Sequence, residues 1–312
     1  MPEAVPFHLT PAPGITLRGL EWSLAGQTAA SAPLVIILPG RAEPAEKYAE
    51  TAGDLLAEGM PVWAIDWRGQ GLSTRHPDPA ISRRGHLERF DDLVADLDHL
   101  LHWHRQHPAH QHRPVILLAH SMGGAVVLRW LQTGSPAGLA VRGIVLSAPM
   151  ISIPTWGTPQ WLARLLARLA VIAGRGSCYV PGHGGWGLRD DCQFKGNRRT
   201  SDHRRFAREV ALLQARPDLR VGGPTWNWLH QAFRLTRQLA APWPSSPAIP
   251  MQVLVGSDDP YVPHATHHSF FARFPQATLR HIPAARHELL AEHDACRAEV
   301  LRAITLFRHT GP

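Results

Sequence analysis

Cysteine is scarce: the 312 residues contain only Cys178, Cys192 and Cys296. Three scattered thiols make no disulfide framework and fit a reducing compartment. Their spacing from His183 and His203 matches no zinc pattern, so no metal is expected. Long apolar runs are missing too. The best stretch, Trp161 to Ala173, is broken by Arg164 and Arg168, so no segment is expected to span a bilayer. The start, Met1-Pro2-Glu3-Ala4-Val5-Pro6, has neither a basic cluster nor an apolar stretch, and no signal peptide is expected. A cytoplasmic location, peripheral at most to the inner face of the membrane, is the resulting expectation. No internal repeat or low-complexity tract stands out. Basic residues come as short doublets such as Arg83-Arg84 and Arg198-Arg199, not as a long run, and no nucleic-acid motif accompanies them.

What is present suits a large folded domain. Hydrophobic residues make up 44% and charged residues 18%, enough for a buried core and one catalytic domain with an insertion. The formal charge is +7, which favours anionic surfaces or substrates, although a solvated basic surface is the simpler explanation. Short apolar runs alternate with helical patterns, the signature of a parallel sheet flanked by helices. Strands are predicted at 34–38, 62–65, 115–119, 143–147, 251–255 and 277–282. Helices are predicted at 45–58, 91–104, 122–132, 265–273 and 289–307. Between about Pro149 and Pro250 the rhythm stops, and the chain is rich in Trp, Arg, Pro and Gly. Residues 1–150 and 250–312 are therefore expected to form an α/β core, with 151–249 as a mainly helical cap inserted before the acid-bearing strand.

The strongest local signal is Ala119-His120-Ser121-Met122-Gly123-Gly124, between a predicted strand and a predicted helix. A nucleophile elbow needs a sharp turn at the serine, with small residues two positions to either side. Those are Ala119 and Gly123 here; the usual pattern has Gly at both. A serine hydroxyl needs a base held by a carboxylate, in the chain order Ser, acid, His. Val255-Gly256-Ser257-Asp258-Asp259-Pro260 ends a strand where the acid belongs; Asp259 is preferred and Asp258 is the alternative. His287 follows the last strand where the base belongs. His281, His293, His264, His267 and His268 read as packing or surface residues, and His120 and His86 as supports behind the triad. The oxyanion hole is expected from the backbone N–H groups of Met122 and Arg41, the latter in the Pro39-Gly40-Arg41 turn.

With these pieces the chain resembles the bacterial lysophospholipase and monoacylglycerol-lipase branch of the α/β-hydrolases, of the serine aminopeptidase S33 type, from about residue 15 to 308. The motifs are Pro39-Gly40-Arg41 with Lys47-Tyr48-Ala49-Glu50, Asp66-Trp67-Arg68-Gly69-Gln70-Gly71-Leu72-Ser73, and Arg84 to Asp92. In the insertion they are Asn197-Arg198-Arg199-Thr200-Ser201-Asp202 and Arg220-Val221-Gly222-Gly223-Pro224-Thr225-Trp226. The resemblance implies a cofactor-free serine esterase or lipase cleaving a monoacyl lipid ester through an acyl-enzyme on Ser121. Asp259 and His287 would complete the triad, with Arg41 and Met122 as oxyanion donors.

The insertion also carries an apolar stripe at helical spacing: Trp161, Leu162, Leu165, Leu166, Leu169 and Ala170, beside Arg164 and Arg168. Packing against the core is the expected explanation for most of it, with rest on an anionic membrane surface as the alternative. Two rival functions are a carboxylesterase or thioesterase for small soluble acyl compounds, and a non-catalytic ligand-binding relative. The complete Ser/Asp/His set disfavours the second.

Overall fold

The computed structural model describes residues 3–23, 32–134, 141–187 and 192–308; Met1 and Pro2 of the N-terminal run lie outside these. Strands β1 (Val5–Ala12) and β2 (Ile15–Trp22) form an antiparallel hairpin. There follow β3 (Leu34–Leu38), α1 (Ala49–Ala57), β4 (Val62–Ile65), α2 (Pro79–Ser82), α3 (Phe90–Gln106), β5 (Val115–His120), α4 (Met122–Gln132) and β6 (Val141–Ser147). Helices α5 (Gln160–Ile172), α6 (His203–Ala215) and α7 (Trp226–Ala240) separate β6 from β7 (Met251–Gly256). Then come α8 (His264–Phe271), β8 (Ala277–Ile282) and α9 (Asp294–Thr305). The strands join one sheet in the order β1-β2-β4-β3-β5-β6-β7-β8, parallel from β4 to β8.

Every residue of β3, β4 and β5 is buried, as expected for parallel strands covered on both faces. One face packs on α3, α4 and the Phe270–Phe271 side of α8, the other on α1 and α9. Burying each large aliphatic side chain contributes about 1.5–3 kcal/mol, so the sheet centre is a rigid base for whatever its C-terminal edge carries. The β1–β2 hairpin was not anticipated from sequence. Pro6 and Pro11 sit in β1, where an edge strand tolerates the missing donors.

Two predicted helices are broken. The one at 45–58 opens as a 3-10 turn, Ala45–Tyr48, before α1. The last is divided into a 3-10 turn, Leu289–Ala291, and α9, because Glu292 is extended and turns its carboxylate to the Ser201 N–H.

Helix α7 shares the core of α3 and α4 through Ala232, Phe233, Leu235 and Leu239. Helix α5 lies on α7 and buries only Ala167 fully. The expectation that its apolar stripe packs on the core is therefore corrected. Trp161 is 66% exposed, and Leu165, Leu166, Leu169 and Ile172 are exposed with it. The small side of the helix approaches α7, because two helices come closest across alanine.

Candidate active site

Ser121 stands between β5 and α4 at φ +48°, ψ −111°. An L-residue adopts this region only under strain, which the surrounding packing must hold. Gly123 makes it possible: a Cβ there would run into the carbonyl oxygens of Leu38 and Pro39. Ala119 is buried in β5 between Leu38 and Leu146, where its extra methyl is accommodated.

Three of the predicted residues meet at the C-terminal edge of the sheet. His287 Nε2 lies 2.9 Å from Ser121 Oγ, and Nδ1 lies 2.7 Å from Asp259 Oδ2. Asp258 turns instead to the Ser257 hydroxyl, 3.0 Å away. The acid and base loops are joined directly, since the Asp258 N–H donates to the Ala285 carbonyl (2.9 Å). Gly256 allows that approach; a side chain there would collide with the carbonyls of Ala285 and Arg286. Burial alone would push the Asp259 carboxyl up. The hydrogen bond and charge of His287 and the Tyr261 N–H (2.7 Å) outweigh it and hold the group below the usual range, hence ionised.

The Pro39–Gly40–Arg41 turn is clamped from several sides. The Trp67 indole donates to the Pro39 carbonyl (2.9 Å), the Gly40 N–H donates to Glu43 Oε2 (2.6 Å), and the Ala42 N–H donates to the Gln70 side chain. The Asp66–Ser73 motif thus shapes this turn. Arg41 and Met122 both border the cavity that Ser121 opens into. Met122 is the first residue of α4, whose N–H has no acceptor in its own helix. The Arg41 guanidinium donates to the Gly222 carbonyl (3.0 Å) above the Trp228 ring.

His120 lies behind the triad, its ring 5.0 Å from that of His287 and its Nδ1 3.1 Å from the Ser147 carbonyl. Burial pushes it below its ordinary value, and His287 adds to this against the pull of Glu43. His86 is elsewhere, on Thr225 Oγ1 (2.9 Å) at the start of α7. Around it the Arg84–Asp92 and Arg220–Trp226 motifs pair, with the Gly85 N–H on Gly223 (2.9 Å) and Asn227 on Leu87 (2.7 Å).

The cavity has a volume of about 550 Å³. Met150, Ile153, Trp228, Leu229, Phe233 and Val262 give it an apolar wall, and Arg41, His183 and Arg199 a basic one. Of the insertion's tryptophans, Trp156, Trp226 and Trp228 border it, Trp161 faces outward, and Trp186 lies under the Arg220 guanidinium at 4.2 Å. Sequence reasoning missed Tyr261, whose ring lies 4.8 Å from that of His287, and the buried carboxylates Glu43 and Glu288. The one available signal was Glu288 directly following the predicted base.

One group among the described residues could gather around a metal ion: His76, His86 and Glu88. There the Asp78 N–H donates to His76 Nδ1 (3.0 Å), which leaves the proton on Nε2 facing Glu88. As arranged, His76 is a donor and not a ligand.

The profile of the serine aminopeptidase S33 family matches residues 29–294. The chain is 35% identical over 290 residues to lysophospholipase L2 of Escherichia coli (strain K12), covering 89% of this chain and 82% of that one. It is 29% identical over 274 residues to a probable lysophospholipase L2 of Haemophilus influenzae, covering 88% and 83%. The fold superposes on a soluble variant of the monoglyceride lipase of Saccharomyces cerevisiae with a TM-score of 0.76, at 18% identity over 99% of this chain and 95% of that one. The elbow, the acid and base loops and these similarities agree: the chain belongs to the S33 family of α/β-hydrolases.

Proposed function

We propose that the protein is a serine hydrolase that cleaves the carboxylic ester of a monoacyl lipid, a lysophospholipid or a monoacylglycerol, with residues 151–249 acting as a cap over the site. In this reading Ser121 Oγ attacks the acyl carbonyl while His287 Nε2 takes its proton. Asp259 holds His287 in the required tautomer and stabilises the imidazolium that forms. The N–H groups of Met122 and Arg41 receive the oxyanion. The alcohol leaves with the proton from His287, and water, activated by the same histidine, then hydrolyses the acyl-enzyme. None of these steps requires a cofactor.

The observation that carries the reading is the cavity: a Ser–His–Asp set opening into about 550 Å³ with an apolar wall and a basic one. That volume suits a single acyl chain. The lysophospholipase and monoglyceride lipase names of the relatives point to the same ester class. A peripheral position on an anionic, cytoplasmic membrane face goes with it. It is supported by the exposed apolar side of α5, by Arg164 and Arg168 on that helix, and by the +7 charge. No helix among the described residues is long and apolar enough to cross a membrane.

The test is a chain-length series of monoacyl esters with neutral and phosphate-bearing headgroups, assayed at rising salt. Each methylene buried is worth about 0.8 kcal/mol, so kcat/KM should rise up to fourfold (roughly) per methylene until the cavity is full. Phosphate-bearing substrates should lose ground to neutral ones as salt screens the arginines. Equal rates for acetyl and long-chain esters, with no salt effect on the preference, would favour a hydrolase of small soluble esters instead.

A further inference from the structure

The Asn197–Asp202 motif lies in the cap, yet its hydrogen bonds go to the loop that carries His287. The Glu288 N–H donates to the Arg199 carbonyl (2.8 Å). The Arg286 guanidinium donates to the carbonyls of Asn197 (2.8 Å) and Thr200 (3.0 Å). The Thr200 hydroxyl donates to the Ala291 carbonyl (2.6 Å), and the Ser201 N–H donates to the Glu292 carboxylate (2.9 Å). These contacts fall on both sides of His287 and leave its ring to Asp259 and Ser121.

A buried ion cluster extends the same connection. Lys47 Nζ lies 2.7 Å from Glu43, 3.1 Å from Glu209 and 2.9 Å from Glu288, one carboxylate for each of its three protons. Arg199 bridges Glu209 and Glu288, the latter at 3.2 Å. Glu43 in turn accepts the Gly40 N–H and the Tyr48 hydroxyl. The three carboxylates therefore come from the oxyanion turn, from α6 and from the histidine loop. Burying so many charges is unfavourable unless each is paired, so the cluster has one satisfied arrangement, and removing a member disturbs all three elements.

We propose that the segment from Asn197 to Glu209 is a positioning element of the active site, with Arg199 and Glu209 as its positioning residues. It fixes the His287 loop and, through Lys47 and Glu43, the Gly40–Arg41 turn, so that base and oxyanion donors keep their separation. The assignment rests on the reading of Ser121, His287 and Asp259 as the catalytic set. Glu209 stands outside the substrate cavity, and a loss of rate on changing it cannot come from lost substrate contact.

The experiment uses the full chain, a p-nitrophenyl ester and a fluorophosphonate that labels the nucleophile. Arg199→Met and Glu209→Leu should each lower kcat about 100-fold, the effect of misplacing a catalytic group by about 1 Å, with KM changed less than about threefold. The labelling rate should fall in parallel, and Arg199→Lys, which keeps the charge, should recover about tenfold of the loss. Thermal melting and circular dichroism establish that each variant is folded. Should Arg199→Met not fold, Glu209→Leu and Arg199→Lys carry the comparison. A rise in KM with kcat unchanged would make Arg199 a substrate-binding residue and overturn the proposal. So would parental kcat and labelling in the folded variants. Labelling retained in Ser121→Ala would overturn the catalytic set and, with it, the positioning role. Labelling lost in Ser121→Ala but parental in the Arg199 and Glu209 variants would overturn the positioning role alone.

Discussion

Ser121 is the residue on which the proposed chemistry depends, and its φ of +48° is held by neighbours that do not react: Gly123 against Leu38, and the Ser121 N–H on the Ser147 carbonyl at 3.0 Å. Replacing the hydroxyl leaves those contacts in place. Ser121→Ala should therefore keep its melting temperature within a few degrees and lose about 10⁴- to 10⁶-fold in turnover on a soluble ester. More than a few per cent of parental activity would show that another group attacks. The choice between neighbouring aspartates is also made at this scale. Both end the same strand, but only the Asp259 carboxyl reaches His287, and its ionised state rests on that contact and on the Tyr261 N–H.

Among the elements, α5 is the exception to the rule that apolar faces turn inward. Its outer side presents Trp161, Leu165, Leu169 and Ile172 to solvent, while Ala167 is the residue buried beneath. Arg164 is anchored on Gln160 and lies 5.8 Å from the Phe233 ring, so the basic side of the helix is ordered. Burying one such large side chain at an interface is worth about 1.5–3 kcal/mol. A Trp161→Ser, Ile172→Ser double variant should bind anionic vesicles at least about tenfold more weakly in a sedimentation assay. Its turnover of a short soluble ester should be unchanged, because neither residue borders the cavity. Parental vesicle binding would leave α5 as an exposed face with no part in membrane contact.

Across the whole molecule, the cap and the core are held together by charge as well as by the α7 core. Glu50 of α1 grips Arg205 and Arg208 of α6, and Arg205 reaches on to Asp294 and the Glu292 carbonyl. The Arg205 hydrogen bond, with Arg208 beside it, holds the Glu50 carboxyl at about 2, against its ordinary value of 4.5 and against the opposing effect of burial. A carboxyl lower in the folded state than in the unfolded one adds stability above its unfolded value and loses it as the pH falls. The stabilisation should be complete above about pH 5 and gone near pH 2. Since Glu50 is partly exposed, solvent screening keeps the effect modest. Glu50→Gln should lower the melting temperature by a few degrees at pH 7, and the gap to the parent should close between about pH 5 and pH 2. A gap independent of pH would mean that packing, not charge, joins α1 to α6.

The sequence by itself determined the parallel sheet, because strands buried on both faces must be apolar throughout, and 34–38 and 115–119 are. It also determined the position of Ser121, since a sharp strand-to-helix turn needs small residues at 119 and 123, and the position of His287 by chain order. Other features depended on which distant segments meet. The β1–β2 hairpin was hidden because Pro6 and Pro11 erase a strand pattern that pairing with β2 restores. Asp258 and Asp259 have the same local surroundings in sequence, and only the approach of the 285–287 loop past Gly256 separates them. The stripe on α5 has the spacing of a core face, and only the packing of α7 against its alanine side turned it to solvent. Asn197–Asp202 was legible as a motif of the insertion, but its partners lie about 90 residues further on, at 286–292. Periodicity reports how a segment meets its own neighbours, whereas a buried ion cluster drawn from three loops exists only once the chain has closed around it.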